Sequence, residues 1–378
     1  MKKILVWESH SMISGGQKMT LLVAKLMQES FEYVFLLPEK GALSNALDEQ
    51  RIPYYLLGNQ SMPAGVKGIS VLFRYAWLSI KAVLKGLWIT LKERPDIIYA
   101  PGPAALPWSA ICGMLANKPV VWHLHHIFLD GPTKRLLNAF SSWKRVKTIL
   151  AVSRCVGDQI QNEAGRKKVE VIYNPVDCER YAFGDSDVIF REYPEVYNHK
   201  DDIKISHIAL MQQTKRQELV IDVVRELTRR GVHAIALLVG GAKNKEDEAY
   251  LLRLRESCKD ISDRIFFLGY RSDVENVLKC LDCLIIPSVE GFPLAGLEAN
   301  SAGVPVVCAN KGGGHEYVQV SQAGCIFQFD SIQSAADAVL EAVARGPEFK
   351  QNAVAFVRTH DIQTYSKRVL QVFREPLS

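Results

Sequence analysis

The sequence lacks any long uninterrupted hydrophobic run. None of its 378 residues lies in an apolar stretch of about 18 residues, the length that a membrane-spanning helix requires. The apolar run "ILVW" near the N-terminus is too short for the core of a signal peptide, and the acidic Glu8 follows it directly. We therefore expect no transmembrane helix, and we interpret "ILVW" as part of the first buried strand.

Cysteine pairs with metal-binding spacing are almost absent. Eight cysteines are scattered along the chain, and only Cys280 and Cys283 form a C-x-x-C pair, without a second pair at zinc-finger spacing. Scattered cysteines in a long chain without a secretory signal are expected to be reduced thiols. We interpret Cys280 and Cys283 as small apolar residues at the junction of a helix and a strand, rather than as zinc ligands or a redox pair.

The glycine-rich loops of dinucleotide-binding and ATP-binding proteins are also missing. Gly15 and Gly16 follow the first predicted strand and stand where a helix would begin, but they form neither G-x-G-x-x-G nor a Walker sequence. Glycines at a helix start let a phosphate or a sugar approach the backbone N–H groups. A purely structural role in a tight turn is an equal alternative.

Acidic residues are missing from one long segment. Between Glu49 and Glu93 there are six basic residues and no acidic one. Four of the six lie within about 20° of one line along a helix. These four are Arg74, Lys81, Lys85 and Lys92. A basic helix that also carries Trp77 and Trp88 is typical of a membrane-surface element, so we predict peripheral contact with an anionic membrane through residues 67–92. An ordinary helix with its lysines in water is the alternative.

The charge is unevenly divided between the two halves of the chain. Residues 1–180 contain 23 Lys and Arg against 14 Asp and Glu, whereas the remaining residues contain 23 against 27. The basic first half indicates that this half meets an anionic surface.

Two series of short apolar runs alternate with segments of helical period. Seven predicted strands precede residue 174 and six follow it, the pattern of two open parallel sheets covered on both faces by helices. Asn174-Pro175 and the polar segment after it mark the seam. We expect an α/β protein with two Rossmann-like, doubly wound domains that face each other across a cleft. Their expected ranges are 1–180 and 181–360, and a C-terminal helix over 361–378 is expected to pack back on the first domain.

Polar residues follow several predicted strands, at the sheet edge where ligands of such folds bind. His123 and His125 share one face of an extended strand, and His125 at its end could donate a hydrogen bond to a sugar hydroxyl. Structural packing is an equal alternative, and no acidic partner stands at a recognisable metal-binding spacing. Lys215 and Arg216 stand at the start of a later helix, where cations are unfavourable unless an anion such as phosphate binds nearby. A solvated pair is the alternative there.

Two glutamates flank a predicted helix start in "SVEGFPLAGLEANSAGVPVV". Pro293 fits the first turn of this helix, and Gly303 with Pro305 fits its end. Glu290 then lies in the loop and Glu298 inside the helix, so their spacing does not place them on one helical face as a glycosidase acid–nucleophile couple. The first N–H groups of the helix can bind a phosphate, and Glu298 can accept hydrogen bonds from a vicinal diol such as a ribose. The layout predicts a bound nucleotide.

Further segments occur along the chain in a recognisable order. They are the Gly-Gly loop near the N-terminus, "AVSRCV", "VIYNPVD", "LLVGG", "IFFLGYRSDV", "DCLIIPSVEGF" with its E-x7-E pattern, and "GGGHE". Together they cover nearly the whole chain and resemble the retaining glycosyltransferases of family 4, which have the GT-B fold.

This resemblance implies roles for three catalytic residues. Glu290 would contact donor-sugar hydroxyls near the reacting carbon, His125 would touch the transferred sugar, and Lys215 would bind the diphosphate. Gly16 would lie against the donor. The resemblance also implies retention of configuration, with same-face attack rather than a covalent intermediate on Glu290. Lys215 and a helix N-terminus would stabilise the leaving diphosphate without a metal ion.

The resemblance further implies a donor-binding set. Glu298 would hold the ribose, N–H groups at Leu294 and Ala295 would hold the diphosphate, and the base would rest against the loop at Tyr270-Arg271, largely through its backbone. The complete set is Gly15, Gly16, Lys215, Arg216, Tyr270, Arg271, Glu290, Gly291, Phe292, Pro293, Leu294, Ala295 and Glu298.

One position departs from the family pattern. The family usually carries an arginine about five residues before the lysine, where this chain has Leu210, Met211 and Gln212. Either Arg216 or Lys243 substitutes for this cation, or donor activation is weaker.

The resemblance implies an enzyme that moves a hexose or an N-acetylhexosamine from a nucleotide sugar, expected to be a UDP-sugar, to a glycan or lipid-linked acceptor. We expect a role in surface polysaccharide synthesis, a cytoplasmic location at the inner face of the plasma membrane, and no cofactor, metal or nucleic acid. Asp185 and Asp187 form an Asp-x-Asp sequence, which we interpret as a polar turn in a linker. A sugar-nucleotide epimerase or phosphorylase on the same architecture and a non-catalytic nucleotide-sugar-binding subunit are the alternatives.

Overall fold

Two parallel β-sheets, each covered by helices, make up the fold. A computed structural model describes residues 1–58 and 69–377. The chain divides into two compact units, Met1–Tyr173 with Tyr365–Ser378, and Asn174–Thr364. Each of the thirteen predicted strands is present, and the expected α/β fold with two Rossmann-like domains is confirmed.

The first unit contains a sheet of seven parallel strands. Its strands are β1 (Lys2–Trp7), β2 (Phe31–Leu37), β3 (Tyr54–Leu56), β4 (Ile97–Ala100), β5 (Val120–Leu124), β6 (Val146–Ala151) and β7 (Val169–Val171). Its helices up to the end of β7 are α1 (Gly15–Leu26), α2 (Ala42–Glu49), α3 (Ile69–Glu93), α4 (Ala105–Leu115), α5 (Gly131–Ser141), α6 (Arg154–Gly157) and α7 (Glu163–Arg166). The strand order is β3-β2-β1-β4-β5-β6-β7, so the order reverses between β1 and β4. Strands β4 and β5 are buried along their whole length because helices cover both faces of the sheet.

The second unit contains a sheet of six parallel strands. Its strands are β8 (Ile203–Ile208), β9 (Ala234–Val239), β10 (Ile265–Gly269), β11 (Cys283–Ile286), β12 (Val306–Ala309) and β13 (Gly324–Phe327). Its helices are α8 (Cys178–Ala182), α9 (Ser186–Glu192), α10 (Pro194–Tyr197), α11 (Gln217–Arg229), α12 (Lys245–Ser257), α13 (Val274–Leu278), α14 (Leu294–Ser301), α15 (Gly313–Ser321), α16 (Ile332–Ala344) and α17 (Gly346–Arg358). The strand order is β10-β9-β8-β11-β12-β13, so the order reverses between β8 and β11.

The last helix of the chain, α18 (Ile362–Arg374), belongs mainly to the first unit. The ring of Phe373 packs edge-on against Tyr99, with 5.0 Å between the ring centroids, and Arg368 donates a hydrogen bond to the carbonyl oxygen of Val171. These contacts bury one face of the helix against the sheet of the first unit.

The polar segment after β7, expected to be a linker, is largely helical and belongs to the second unit. The unit boundaries fall after Tyr173 and Thr364, whereas the expected domain boundaries were residues 180 and 360. Helix α8 packs against α14, and the Cys178 thiol lies 3.4 Å from the Val357 carbonyl oxygen. Asp185 is the N-cap of α9 and accepts a hydrogen bond from the Asp187 backbone N–H. The spacing of polar residues did not reveal these helices, because each is only four to seven residues long.

Helix α3 has one buried face and one exposed apolar face. Gly86 packs so closely on Trp7 that a Cβ atom there would lie 2.2 Å from the indole ring. The opposite face carries five large side chains that are each 51–62% exposed. This set, called the α3 stripe below, is Trp77, Ile80, Leu84, Trp88 and Leu91. Residues 67 and 68 of the predicted membrane-contact segment lie outside the described residues, as does the side chain of Arg74.

None of the helices in the described part of the chain is both long and apolar enough to cross a membrane. All eight cysteines lie within that part, and no disulfide joins them.

Candidate functional site

The site in the second unit lies where its strand order reverses. Strands β8 and β11 are neighbours, and their carboxyl ends lead into the segments that contain Lys215 and Glu290. The Lys215 ammonium donates a hydrogen bond to Glu290 Oε1 at 2.7 Å. Ligands of open parallel sheets bind at such reversal points, so this ion pair lies where a ligand is expected.

The backbone holds Lys215 just before helix α11. A short 3₁₀ turn, Gln213–Lys215, follows β8, and Arg216 then adopts the left-handed conformation with φ 61° and ψ 44°. This sharp change of direction starts the helix at Gln217 and leaves the Lys215 side chain 28% exposed beside the strand ends. Lys215 and Arg216 thus stand directly before a helix, as the sequence indicates, and an anion bound there stays a prediction.

Glu290 is a half-buried carboxylate that stays ionised at neutral pH. Burial by itself would raise its pKa, but the Lys215 ammonium and the Ser288 hydroxyl outweigh burial and hold the pKa below its usual value. The Ser288 hydroxyl donates to the same oxygen, Oε1, at 2.5 Å. His207 lies close enough to influence this carboxylate, and burial lowers the pKa of His207 to about 4, so its ring is neutral.

The glycine-rich start of helix α15 fixes the backbone of Glu290. The Gly313 N–H donates to the Glu290 carbonyl oxygen at 2.7 Å. A Cβ atom on Gly313 would lie only 1.7 Å from the Gly291 carbonyl oxygen. Only glycine fits at this close approach, which explains the middle glycine of the run "KGGGH".

Helix α14 presents its first turn and one side chain on a narrow accessible face. It begins at Leu294, one residue later than a proline in the first turn would require, because Pro293 has extended ψ of 111° and is the N-cap. Leu294, Ala295 and Glu298 are half-exposed, while the other residues of the helix are buried. None of the described side chains caps the helix start, and the first N–H groups of a helix have no partner within it. These N–H groups favour an anion.

Glu298 is held by a residue that the sequence prediction missed. The phenol of Tyr181, on helix α8, donates a hydrogen bond to Glu298 Oε1 at 2.9 Å. Tyr181 is only 8% exposed. The residues are 117 positions apart in the chain, and no local pattern links them.

The residues near the missing family arginine do not all face the ion pair. Met211 is buried, and the Gln212 amide donates to Asp247 at 3.1 Å. Arg216, a suggested substitute, is bound by the Asp330 carboxylate and lies over the Phe329 ring, 4.1 Å from its centroid. The backbone N–H of Lys243, the other suggested substitute, donates to the same Asp247.

Arg271 stabilises the loop that is predicted to bind the base. The Arg271 side chain is only 8% exposed and binds Glu192 at 2.9 Å and Asp273 at 2.8 Å. These hydrogen bonds raise the pKa of Arg271, and its guanidinium braces the loop. Tyr270 is 79% exposed and lies beside Gly241. A ligand at this loop would therefore meet the Tyr270 ring and the backbone.

In the first unit, a buried carboxylate accepts hydrogen bonds from residues of helix α1 that follow the Gly15-Gly16 turn. Glu8 accepts hydrogen bonds from the Gln17 amide at 3.1 Å and from the Thr20 hydroxyl at 2.7 Å. The Gln17 side chain in turn accepts from the backbone N–H of Ser14, the N-cap of helix α1. Burial raises the pKa of Glu8. This chain of hydrogen bonds fixes the start of α1, and sequence reasoning did not find it.

His125 lies next to this turn. A Cβ atom on Gly16 would lie 3.9 Å from the His125 ring, and the rings of His123 and His125 are 4.0 Å apart between centroids. His123 Nδ1 and the Tyr99 hydroxyl are 2.7 Å apart. Burial lowers the pKa of His123 to about 3 and the pKa of His125 well below its usual value, so both rings are neutral. The Nε2 atom of His125 is buried without a hydrogen-bond partner among the described residues.

The predicted site residues therefore form two sets. The second unit brings together Lys215, Glu290 and the first turn of α14, while Arg216 and Arg271 bind carboxylates of the protein. The first unit brings together Gly15, Gly16 and His125. Phe292 is buried against the Tyr317 ring, with 5.2 Å between centroids. Among the described residues, no group of three or more His, Cys, Asp or Glu side chains could hold a metal ion.

Two family models match the chain in succession. The model "Glycosyltransferase Family 4" matches residues 16–180, and the model "Glycosyl transferases group 1" matches residues 190–358. The chain therefore belongs to the family 4, group 1 glycosyltransferases and has the GT-B fold.

The individual relatives have low sequence identity to this chain, but the matches extend over most of it. The chain is 24% identical over 358 residues to the UDP-Gal:alpha-D-GlcNAc-diphosphoundecaprenol alpha-1,3-galactosyltransferase of Escherichia coli, covering 87% of this chain and 84% of the relative. It is 26% identical over 280 residues to the N-acetyl-alpha-D-glucosaminyl L-malate synthase of Bacillus anthracis, covering 71% of each. The structure of Anabaena HepE in complex with UDP-glucose matches with a TM-score of 0.80 at 23% identity and covers 99% of both chains.

Proposed function

We propose that the protein transfers a hexose or an N-acetylhexosamine from a UDP-sugar to a lipid-linked or glycan acceptor in surface polysaccharide synthesis, with retention of configuration and without a metal ion. The observation that carries this proposal is the Lys215–Glu290 ion pair beside the uncapped start of helix α14. The galactosyltransferase relative, which by its name uses UDP-galactose and a diphosphoundecaprenol-linked sugar, supports the choice of substrates. The neighbouring structures with UDP and UDP-glucose support the uracil base.

In this proposal the second unit binds the donor. The diphosphate contacts the Lys215 ammonium and the N–H groups of Leu294 and Ala295, which together oppose the negative charge that grows as the glycosidic bond breaks. Glu298 binds the ribose hydroxyls, and the base lies against Tyr270 and its backbone. The three residues on α14 lie on the accessible face of that helix, as one extended ligand would require.

Glu290 binds hydroxyls of the donor sugar and remains an anion while the sugar passes through an oxocarbenium-like state. Its Oε1 atom already accepts hydrogen bonds from Lys215 and Ser288. Because these bonds stabilise the anion, the carboxylate is a weak nucleophile. This favours same-face attack by the acceptor over a covalent intermediate on Glu290. In the first unit, His125 and the Gly15-Gly16 turn are proposed to bind sugar hydroxyls; the His125 ring is neutral, and its buried Nε2 atom has no hydrogen-bond partner among the described residues.

A panel of donors tests the activity. We expect nucleotide release from at least one of UDP-glucose, UDP-galactose and UDP-N-acetylglucosamine when membrane lipids supply the acceptor, and little release from GDP-mannose. The anomeric configuration of the product, measured by NMR, should match that of the donor. An epimerised nucleotide sugar without transfer would establish the epimerase alternative. Binding of UDP without hydrolysis or transfer of any donor would establish a non-catalytic subunit.

The proposed acceptor places the protein at the cytoplasmic face of the plasma membrane, in contact with its lipids through helix α3. The α3 stripe offers apolar side chains at spacings of three and four residues, so they form one continuous band. Lys81, Lys85 and Lys92 are exposed along one edge of this band, and the Lys81 ammonium lies 5.0 Å from the centroid of the Trp77 ring. Apolar side chains beside a row of cations match an anionic bilayer surface.

Charge reversal on α3 tests this contact. Each lysine near an anionic membrane contributes about 1 kcal/mol, so Lys81→Glu with Lys85→Glu is expected to weaken binding to anionic vesicles by about 30-fold or more. Flotation with phosphatidylglycerol-containing vesicles measures the effect. Lys245→Glu with Lys259→Glu makes the same change in net charge at exposed lysines of the second unit and should leave flotation unchanged.

A second variant separates the apolar contribution from the charges. Leu84→Asp in the α3 stripe should weaken binding to vesicles with and without anionic lipid, because it opposes burial of the band itself. Equal flotation of the wild-type, lysine and Leu84 variants would contradict membrane contact through α3.

A further inference from the structure

Helix α8 carries Tyr181, whose phenol contacts the carboxylate of Glu298. The helix begins after Asp177, whose side chain accepts a hydrogen bond from the Arg180 N–H, and it packs against α14. Tyr181 follows one residue later and is buried, with its hydroxyl 2.9 Å from Glu298 Oε1. The short helix α8 thus reaches the one carboxylate on the accessible face of α14.

The ring of Tyr181 has a cation on one side and helix α14 on another. The Arg180 guanidinium lies 5.2 Å from the centroid of the Tyr181 ring. Arg180 is itself bound to Glu275 Oε2 at 3.0 Å, on helix α13. The phenol is therefore held from one side by an anchored cation and from the other by the packing of α8 on α14.

Tyr181 acts as a hydrogen-bond donor at any physiological pH. Burial raises its pKa, and the neighbouring negative charge of Glu298 raises it further. A phenol that keeps its proton always has an O–H to offer an ionised carboxylate. The bond to Glu298 is consequently charge-assisted and stronger than a neutral hydrogen bond.

A glutamate side chain on an accessible helix face can adopt several rotamers. Its side chain would lose rotamer freedom each time it bound a diol, and this entropy loss would weaken the affinity. A carboxylate that is oriented in advance avoids most of that cost. The buried phenol supplies such orientation through Oε1.

We propose that Tyr181 is a positioning residue that holds Glu298 in the orientation with which it binds the ribose hydroxyls of the donor nucleotide. The inference rests on the proposed function, because it assigns the ribose to Glu298. It adds a residue outside the E-x7-E segment to the recognition of the sugar nucleotide. It also makes discrimination between ribose and deoxyribose depend on a side chain that does not touch the ligand.

Titration calorimetry with the whole 378-residue chain tests the inference. Tyr181→Phe removes only the hydroxyl, and it is expected to weaken UDP binding by about fivefold to twentyfold, the loss of one charge-assisted orienting bond. Affinity for 2′,3′-dideoxy-UDP should stay within about twofold, since that ligand offers no hydroxyl to Glu298. With the best donor sugar, KM should rise by the same factor while kcat is unchanged. In a Glu298→Ala background, Tyr181→Phe should add nothing.

Tyr197→Phe is the matched control, because it removes an exposed hydroxyl elsewhere in the second unit. An equal loss of affinity for UDP and its dideoxy analogue in Tyr181→Phe would make Tyr181 a packing residue and overturn the inference. Unchanged UDP binding in Tyr181→Phe would overturn it too. If Glu298→Ala binds UDP as the wild type does, the ribose assignment itself fails, and if the wild type binds neither UDP nor GDP, the proposed function fails.

Discussion

Replacing Lys215 by alanine is expected to lower the kcat of sugar transfer by about 10²–10³-fold, the loss typical of removing one preorganised group that stabilises charge in a transition state. The ammonium is proposed to oppose the charge on the leaving diphosphate, which is greatest when the glycosidic bond is breaking. The loss should therefore be larger in kcat than in the affinity for UDP. Assays of nucleotide release over time measure kcat, and calorimetry measures the affinity for UDP.

The same variant should change the pH dependence of the remaining activity. In the wild type, Lys215 and Ser288 outweigh burial and hold the pKa of Glu290 below its usual value, so Glu290 stays ionised until the pH falls through that lowered value. Without Lys215, burial acts against fewer opposing interactions and the pKa of Glu290 rises. The acid limb of kcat should then move to higher pH in Lys215→Ala. An acid limb at the wild-type position would contradict the coupling of the two residues.

The stability of the folded protein should also depend on pH through Glu290. A carboxylate whose pKa is lower in the folded than in the unfolded protein stabilises the fold above the unfolded pKa, and this contribution is lost as the pH falls through the folded pKa. Thermal unfolding measured between pH 3 and pH 7 should therefore show less acid-dependent loss in Lys215→Ala than in the wild type. Lys259→Ala, at an exposed lysine paired with Glu256, is the control for both measurements and should behave like the wild type.

Glu290→Gln is expected to lower kcat by about 10²–10³-fold while UDP binding stays within about threefold. Glutamine keeps the shape of the side chain and can still accept a hydrogen bond from Lys215, but it lacks the negative charge. The proposed role of that charge lies at the sugar, near the reacting carbon, and UDP without a sugar does not meet it. Affinity for the complete UDP-sugar should fall more than affinity for UDP.

Two further variants test whether the loss of kcat comes from the charge of Glu290. Glu256→Gln removes an exposed carboxylate of the same type and should leave kcat unchanged. Ser288→Ala leaves the charge in place but removes one hydrogen bond to Oε1, so it should have an intermediate effect. If Glu290→Gln transfers sugar at the wild-type rate, the ion pair is structural, and the proposed mechanism is wrong at this residue.

Much of the donor region could be predicted from the sequence, because its parts are local. The positions of Glu290 before a helix and of Glu298 inside it follow from the spacing of proline and glycine, and the structure places them so. The cation at Lys215 follows a strand end in the same way. Roles taken from the family resemblance remain proposals, although Lys215 and Glu290 do lie within hydrogen-bond distance.

Other parts of the site depend on residues far apart in the chain. Nothing in the local sequence links Tyr181 to Glu298, and the seam segment that carries Tyr181 was interpreted as a linker. Arg216 resembled a phosphate ligand, but the structure pairs it with Asp330, a residue 114 positions later. The support of the Gly15-Gly16 turn by Glu8 was missed because Glu8 was interpreted only as the end of an apolar run.

By itself, the sequence determined the two α/β units, the order of their strands along the chain and the helix starts at which ligands can bind. Short-range patterns suffice for these features, since apolar periodicity, proline and glycine act on neighbouring residues. The tertiary structure alone decided the partners of each charged side chain, because hydrogen bonds and ion pairs depend on distances that only packing sets. Packing also decided which face of α3 stays exposed: Gly86 turns one face onto Trp7 and leaves the α3 stripe at the surface.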